Sequence, residues 1–198
     1  MHIMASIITI SREFGSGGRT IGKEVARRLQ IPCYDRKLIE TAAQESGLAQ
    51  DYIAQEGEYA PGKRLFSYAF LGRDAKGESI SDYVWKIQRQ IILELAQQGP
   101  CVLVGRCADY ILKDYPDALH VFLHADTDFK AQRVIEKYGE TDIDIEKRLH
   151  DKDHRRALNY RYYTEQIWGA AEHYDLSLST SHIGLDTCVD FLVRLAKK

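Results

Sequence analysis

The residues best suited to chemistry form a short run near the start of the chain, Gly15-Ser16-Gly17-Gly18-Arg19-Thr20. So little side chain lets main-chain N–H groups converge on phosphate oxygens, most effectively where a helix begins. Against the pattern G-x-x-x-x-G-K-[ST], Gly18 takes the second glycine, Arg19 the lysine and Thr20 the hydroxyl residue, and Glu13 stands where the first glycine belongs. Arginine in place of lysine keeps the charge and changes its geometry, because a guanidinium prefers bidentate phosphate contacts. Thr20 is the natural hydroxyl ligand for Mg2+, and Glu13 and Asp35 are the nearest carboxylates for the metal's outer shell or for an acceptor.

Two further groups of residues could act on phosphate. Gly105-Arg106 follows an apolar run, and an arginine at the carboxyl end of a parallel strand can grip an acceptor phosphate. Arg148, Lys152 and Arg155 recur at four and three residues with Arg156 adjoining, and Asp151 and Asp153 are close enough to tether them. Alone, such a helix would be a solvated charged face. Beside a phosphate loop it reads as a basic lid that closes on the charge developing in phosphoryl transfer. The candidate catalytic residues are therefore Arg19, Arg148, Arg155 and Arg156, and the candidate substrate-side residues are Asp35, Arg36, Arg106 and Asp153.

These residues need a scaffold of alternating strands and helices. Ser6 to Ile10 is a β-branched apolar run that suits a central strand covered on both faces, and the glycine run follows directly. Ile21, Val25, Ala26 and Leu29 then predict an amphipathic helix from Gly18. A short second strand is expected over 31–35, then a helix capped by Asp35 and ended by Gly47. Residues 48 to 78 lack a clean period and read as an irregular excursion. Ser79 with Asp82 predicts the start of a helix that Gly99-Pro100 stops. Strands are expected at 101–104, 118–123 and 176–180, and helices at 108–113, from Asp126 or Thr127 to Tyr138, at 143–166 and at 186–196. This order predicts an α/β sandwich with a parallel sheet and right-handed crossovers.

The composition allows this architecture and disfavours others. At 198 residues, 44% hydrophobic and 28% charged, the chain can bury a core as a single unit over 1–198. A net charge of −2 disfavours a globally basic nucleic-acid binder while leaving room for a local cationic pocket. The four cysteines have no C-x-x-C pair and the seven histidines are dispersed, so the thiols read as reduced core residues rather than zinc ligands. Neither a membrane span nor a secretory leader is legible, which sets a cytoplasmic expectation. Met1, His2 and Ile3 precede a second methionine and read as an added remnant.

The run Ile8-Thr9-Ile10-Ser11-Arg12-Glu13-Phe14-Gly15-Ser16-Gly17-Gly18-Arg19 resembles the opening of the cytidylate kinase-like proteins, relatives of bacterial CMP kinase. Further similarity lies at Ile31 to Arg36, at Val104 to Leu112, at Arg156 with Tyr160, and at Trp168-Gly169 with Tyr174-Asp175-Leu176. The resemblance implies a P-loop NTPase three-layer sandwich with a five-stranded parallel sheet, an acceptor-binding excursion over 48–90 and a helical lid over 143–166. It implies ATP with Mg2+ as donor and a nucleoside monophosphate, CMP or dCMP, as acceptor, with no nucleic acid and no membrane as partner. It also implies an acceptor-phosphate role for Arg106. Where CMP kinases have Asp followed by Thr or Ser and Gly, this chain has Asp35-Arg36-Lys37. Two other readings stay open: a kinase of another small metabolite, and a nucleotide-binding regulatory module without turnover.

Overall fold

β-Branched residues that bury both faces of a strand are what place a strand at the centre of a sheet, and Ile7, Ile8 and Ile10 are all fully buried. They belong to β1 (Ile7–Arg12), flanked by β3 (Cys101–Val104) and β4 (Ala118–His124), with β2 (Cys33–Tyr34) and β5 (Leu176–Ser179) at the edges. The five strands are all parallel, in the order β2-β3-β1-β4-β5. The computed structural model describes residues 6–35 and 80–197. Arg36, the helix expected after Asp35, the 48–79 part of the excursion and the cap at Ser79 lie outside them.

Side chains alternate between the two faces of a strand, and each face here has its own helices. Ile8, Ile10, Val102, Val104 and Val121 pack on α1 (Gly18–Leu29) and α7 (Leu185–Ala196). Ile7, Cys101 and Leu103 pack on α2 (Ile80–Gln98) and α3 (Ala108–Ile111). The result is a three-layer α/β sandwich. After β4 come α4 (Thr127–Tyr138) and α5 (Ile145–Thr164); the side chain of Asp144 caps α5 by accepting from the Lys147 N–H at 3.0 Å. A 3-10 turn at Ala171–His173 and a one-turn helix, α6 (Thr180–Ile183), were not expected from sequence.

β1 runs two residues further than its apolar residues predict. Ser11 and Arg12 pair with Phe122 and Leu123 of β4, and the Glu13 N–H continues the ladder to Leu123 O at 2.9 Å. The longer neighbour carries the strand past the end of its own hydrophobic run. Arg12 therefore leaves the sheet at the carboxyl end of its central strand, where open α/β sheets bind ligands.

Candidate active site

The loop between β1 and α1 is held from beneath, and this fixes the direction its N–H groups face. Gly17 caps α1 in the left-handed region (φ 86°), and Gly15 also has positive φ (88°). A Cβ on Gly15 would lie 2.8 Å from the Lys130 carbonyl oxygen, so only glycine fits there. Ser16 is fully buried; its hydroxyl donates to Glu13 O at 2.9 Å, and its carbonyl accepts from Thr180 at 2.8 Å.

Glu13, in the position of a glycine, turns its carboxylate away from the loop mouth. It accepts from Lys130 Nζ at 2.9 Å and from the Ala125 N–H at 3.2 Å. Asp153 of α5 accepts the Phe14 N–H at 2.6 Å and faces Lys130 Nζ at 3.8 Å and Arg156 Nη1 at 3.3 Å. Burial pushes the Asp153 carboxyl above the usual carboxylate range, against the pull of the Phe14 N–H, Arg156 and Lys130. Both acids thus brace the loop. In this structure Asp153 ties the loop to α5 rather than facing solvent.

Above the loop lies a cavity of about 300 Å3, and half of the residues that line it are cationic. Arg12 and Arg19 enter from the loop side and Arg133 and Lys137 from α4, while Arg148, Lys152 and Arg156 line one stripe of α5. Among the described residues, Glu13 is the one carboxylate in the lining. Lys137 is held below the usual lysine range by partial burial and by the crowd of Arg133, Arg19 and Lys23. A set of like charges gathered at a helix N-terminus is arranged for a polyanion. The rings continue the wall: Phe14 stacks on Tyr138 at 5.8 Å, and Arg156 and Arg148 lie over it at 5.6 and 5.9 Å.

The expected site residues are placed as follows. Gly15, Gly17, Gly18, Arg19, Thr20, Arg148 and Arg156 line the cavity. Ser16 lies beneath it, and Arg155 is exposed on α5 and outside the lining. Arg19 is half exposed, and its Nε is paired with buried Asp35. Arg106 is buried with φ 63° and lines a small adjoining cleft of about 30 Å3 together with Arg12, Gly105 and Arg156. Sequence reasoning missed Arg12, Arg133, Lys137 and the anchor Lys130. The last three recur at i, i+3 and i+7 on one helix face, a signal present in the sequence.

Residues 7–182 match the sequence profile of the cytidylate kinase-like family. The chain belongs to the cytidylate kinase-like family. Curated relatives include cytidylate kinases of Pyrobaculum aerophilum, 28% identical with 92% of this chain and 88% of the relative covered, and of Pyrobaculum calidifontis, 26% identical over the same shares. A solved structure of an uncharacterised protein from Eubacterium ventriosum superposes with a TM-score of 0.71 at 25% identity, covering 97% of this chain and 99% of the other. Shikimate kinase from Bacteroides thetaiotaomicron shares the P-loop kinase fold, with a TM-score of 0.55, 16% identity and coverage of 96% and 97%. This member of the family is a nucleoside monophosphate kinase-like phosphotransferase.

The Mg2+ expected at Thr20 does not fit the arrangement observed. The Thr20 hydroxyl accepts from Arg133 Nη2 at 3.2 Å and from Lys137 Nζ at 3.1 Å, which uses both acceptor lone pairs and sets two positive charges where a divalent ion would sit. Among the described residues no group of three or more His, Cys, Asp or Glu could hold a metal. Likewise, none of their helices is long and apolar enough to cross a membrane.

Proposed function

We propose that this protein transfers the terminal phosphoryl group of ATP to a nucleoside monophosphate, with CMP and dCMP as the acceptors, in the cytoplasm. The observation that carries this reading is the cationic cavity over the N-terminus of α1, opening beside the Arg106 cleft at the end of β3. Two phosphate-binding places side by side at the carboxyl edge of one sheet suit a donor and an acceptor that must meet in line.

The chemistry asks little covalent help of the protein. The loop N–H groups from Gly15 to Thr20 would cradle the donor phosphates, and Arg133 and Lys137 would hold their outer oxygens. Arg148, Lys152 and Arg156 on the lid helix would draw in over the group in transfer, excluding water and adding positive charge as the bond breaks. Arg106 would hold the acceptor phosphate, with Asp35 and Arg36 on the acceptor side. Mg2+ enters as part of the Mg·ATP substrate and supplies charge neutralisation between its phosphates.

The test is ADP release with Mg·ATP over a panel of nucleoside monophosphates and non-nucleotide acceptors. The expected result is acceptor-dependent release, greatest with CMP or dCMP. Release driven best by a non-nucleotide acceptor would move the activity to another small metabolite. ATP binding without any acceptor-dependent release would make the protein a regulatory module.

A further inference from the structure

Gly18 is the first residue of α1 and takes the second glycine of the motif, one residue before the lysine position, and it has no side chain. The room a side chain would need is already filled. A Cβ built on Gly18 would lie 2.7 Å from both Cβ and Cγ of Arg12. The stem of Arg12 thus crosses the helix N-terminus, and its guanidinium reaches the far side: a Cβ on Gly105 would run into its Nη1. Arg12 lines both the cationic cavity and the Arg106 cleft. Arg19, which the motif aligns with the lysine, is half exposed and paired with Asp35.

We infer that Arg12, supplied by the strand rather than by the helix, is the cation that holds the phosphoryl group in transfer, while Arg19 positions Asp35. The inference rests on the kinase reading above and names the residue on which that reading turns. Three features support it. The guanidinium is in the partition between the two phosphate places, where a transferring group must pass. The main chain of Arg12 is held in place, because it pairs in register with Leu123 of β4 and its carbonyl accepts from Arg156 Nη1 at 3.2 Å. The glycines at 18 and 105 leave the space that an arginine, longer and forked, needs to span the gap. In the step itself the P–O bond between the γ-phosphorus and the β–γ bridging oxygen breaks, and its electron pair stays on ADP. A new bond forms from an acceptor phosphate oxygen to the γ-phosphorus, and no proton need move when that oxygen is already ionised. Arg12 faces the negative charge on both sides of this exchange.

The experiment compares Arg12→Met, which keeps the apolar stem, Arg12→Lys, Arg19→Ala and the exchange pair Arg12→Gly with Gly18→Lys. Thermal melts confirm folding. Acceptor-dependent ADP release is measured for kcat and KM, and Mg·ATP and inorganic tripolyphosphate are titrated for affinity. Arg12→Met is expected to lower kcat about a hundredfold or more while KM for ATP changes less, and Arg19→Ala to lower kcat less than about tenfold. Arg12→Lys and the exchange pair are expected to recover part of the loss, the pair by placing a cation at the first residue of α1. A larger loss for Arg19→Ala than for Arg12→Met, or kcat for Arg12→Met within about threefold of wild type, would overturn the assignment. If wild type turns over no acceptor, the kinase reading fails by itself and the titrations decide this one. Tripolyphosphate affinity at least about tenfold weaker in Arg12→Met than in Arg19→Ala would retain Arg12 as the phosphate cation, and equal affinities would remove it.

Discussion

A hydroxyl accepts two hydrogen bonds, and Thr20 accepts both from cations, Arg133 and Lys137 at the cavity rim. Thr20→Val is accordingly expected to leave the Mg2+ concentration for half-maximal activity within about twofold of wild type and to weaken ATP binding modestly. A rise of about tenfold in the Mg2+ requirement would return the metal to Thr20. Arg106 is a second residue-scale test: Arg106→Ala is expected to raise KM for the acceptor about tenfold or more with ATP affinity nearly unchanged. Equal losses for both substrates, or a drop in Tm alone, would make it a structural residue. The strand, glycine turn and helix were legible in the sequence because their signal is local: an apolar run, Gly15 to Gly18 and an amphipathic run follow one another directly. Arg12 was not, because its place depends on β4 extending β1 and on empty space at Gly18 and Gly105, which no spacing along the chain reveals.

At the level of elements, α5 behaves as two halves. Its root is fixed: Asn159, Tyr160 and Thr164 are buried, Trp85 of α2 stacks on Tyr163 at 4.3 Å, and the Tyr160 hydroxyl donates to Asp109 at 2.7 Å. Its first half carries the cations that face the cavity. Hydrogen exchange is therefore expected to slow over residues 145–156 when ATP and acceptor are added together and to stay unchanged over 159–164. Unchanged exchange along the whole helix would count against closure. Charge spacing along this helix pointed to a basic face but set its edge one residue off. Leu149, Asp153 and Tyr160 turn toward the body, so Arg156, Lys152 and Arg148 follow in order around the helix and Arg155 comes next, beyond the cavity. Finding that edge requires knowing which side is buried. For the loop, Gly15→Ala combines a positive φ with a clash against the Lys130 main chain. It is expected to cost about 1–3 kcal/mol in denaturant melts and to weaken ATP binding as well. An unchanged midpoint and affinity would show that the loop can shift freely.

Across the whole molecule, the five strands sit within two residues of where the sequence predicts them, and in β1 and β3 burial on both faces leaves almost no polar residue to blur the signal. The thiols follow the same logic. Burial pushes Cys33 up to about 11 and Cys101 up to about 12 from an ordinary 9.0, and it raises Cys107 as well. An unfolded chain ionises these groups first, so the stabilisation they bring is complete below 9.0 and is lost as pH rises through the folded values. Between pH 9.0 and about 11, Tm is expected to fall more steeply for wild type than for a Cys33→Ala, Cys101→Ala variant. Parallel slopes would place the alkaline loss elsewhere.

The sheet order has a further consequence during synthesis. Ile7 pairs with Cys101 on one side and with Ala118 on the other, so both neighbours of β1 are encoded about a hundred residues downstream. On a ribosome adding 5–20 residues per second, the isoleucine strand would wait roughly 5–20 s in the emerging chain before either neighbouring strand could pair with it. Such an unpaired strand is an aggregation hazard, and polar residues at its border blunt that hazard. Ser11, Arg12 and Glu13 stand at that border, so the residue assigned to the phosphates also guards the nascent strand before any site exists.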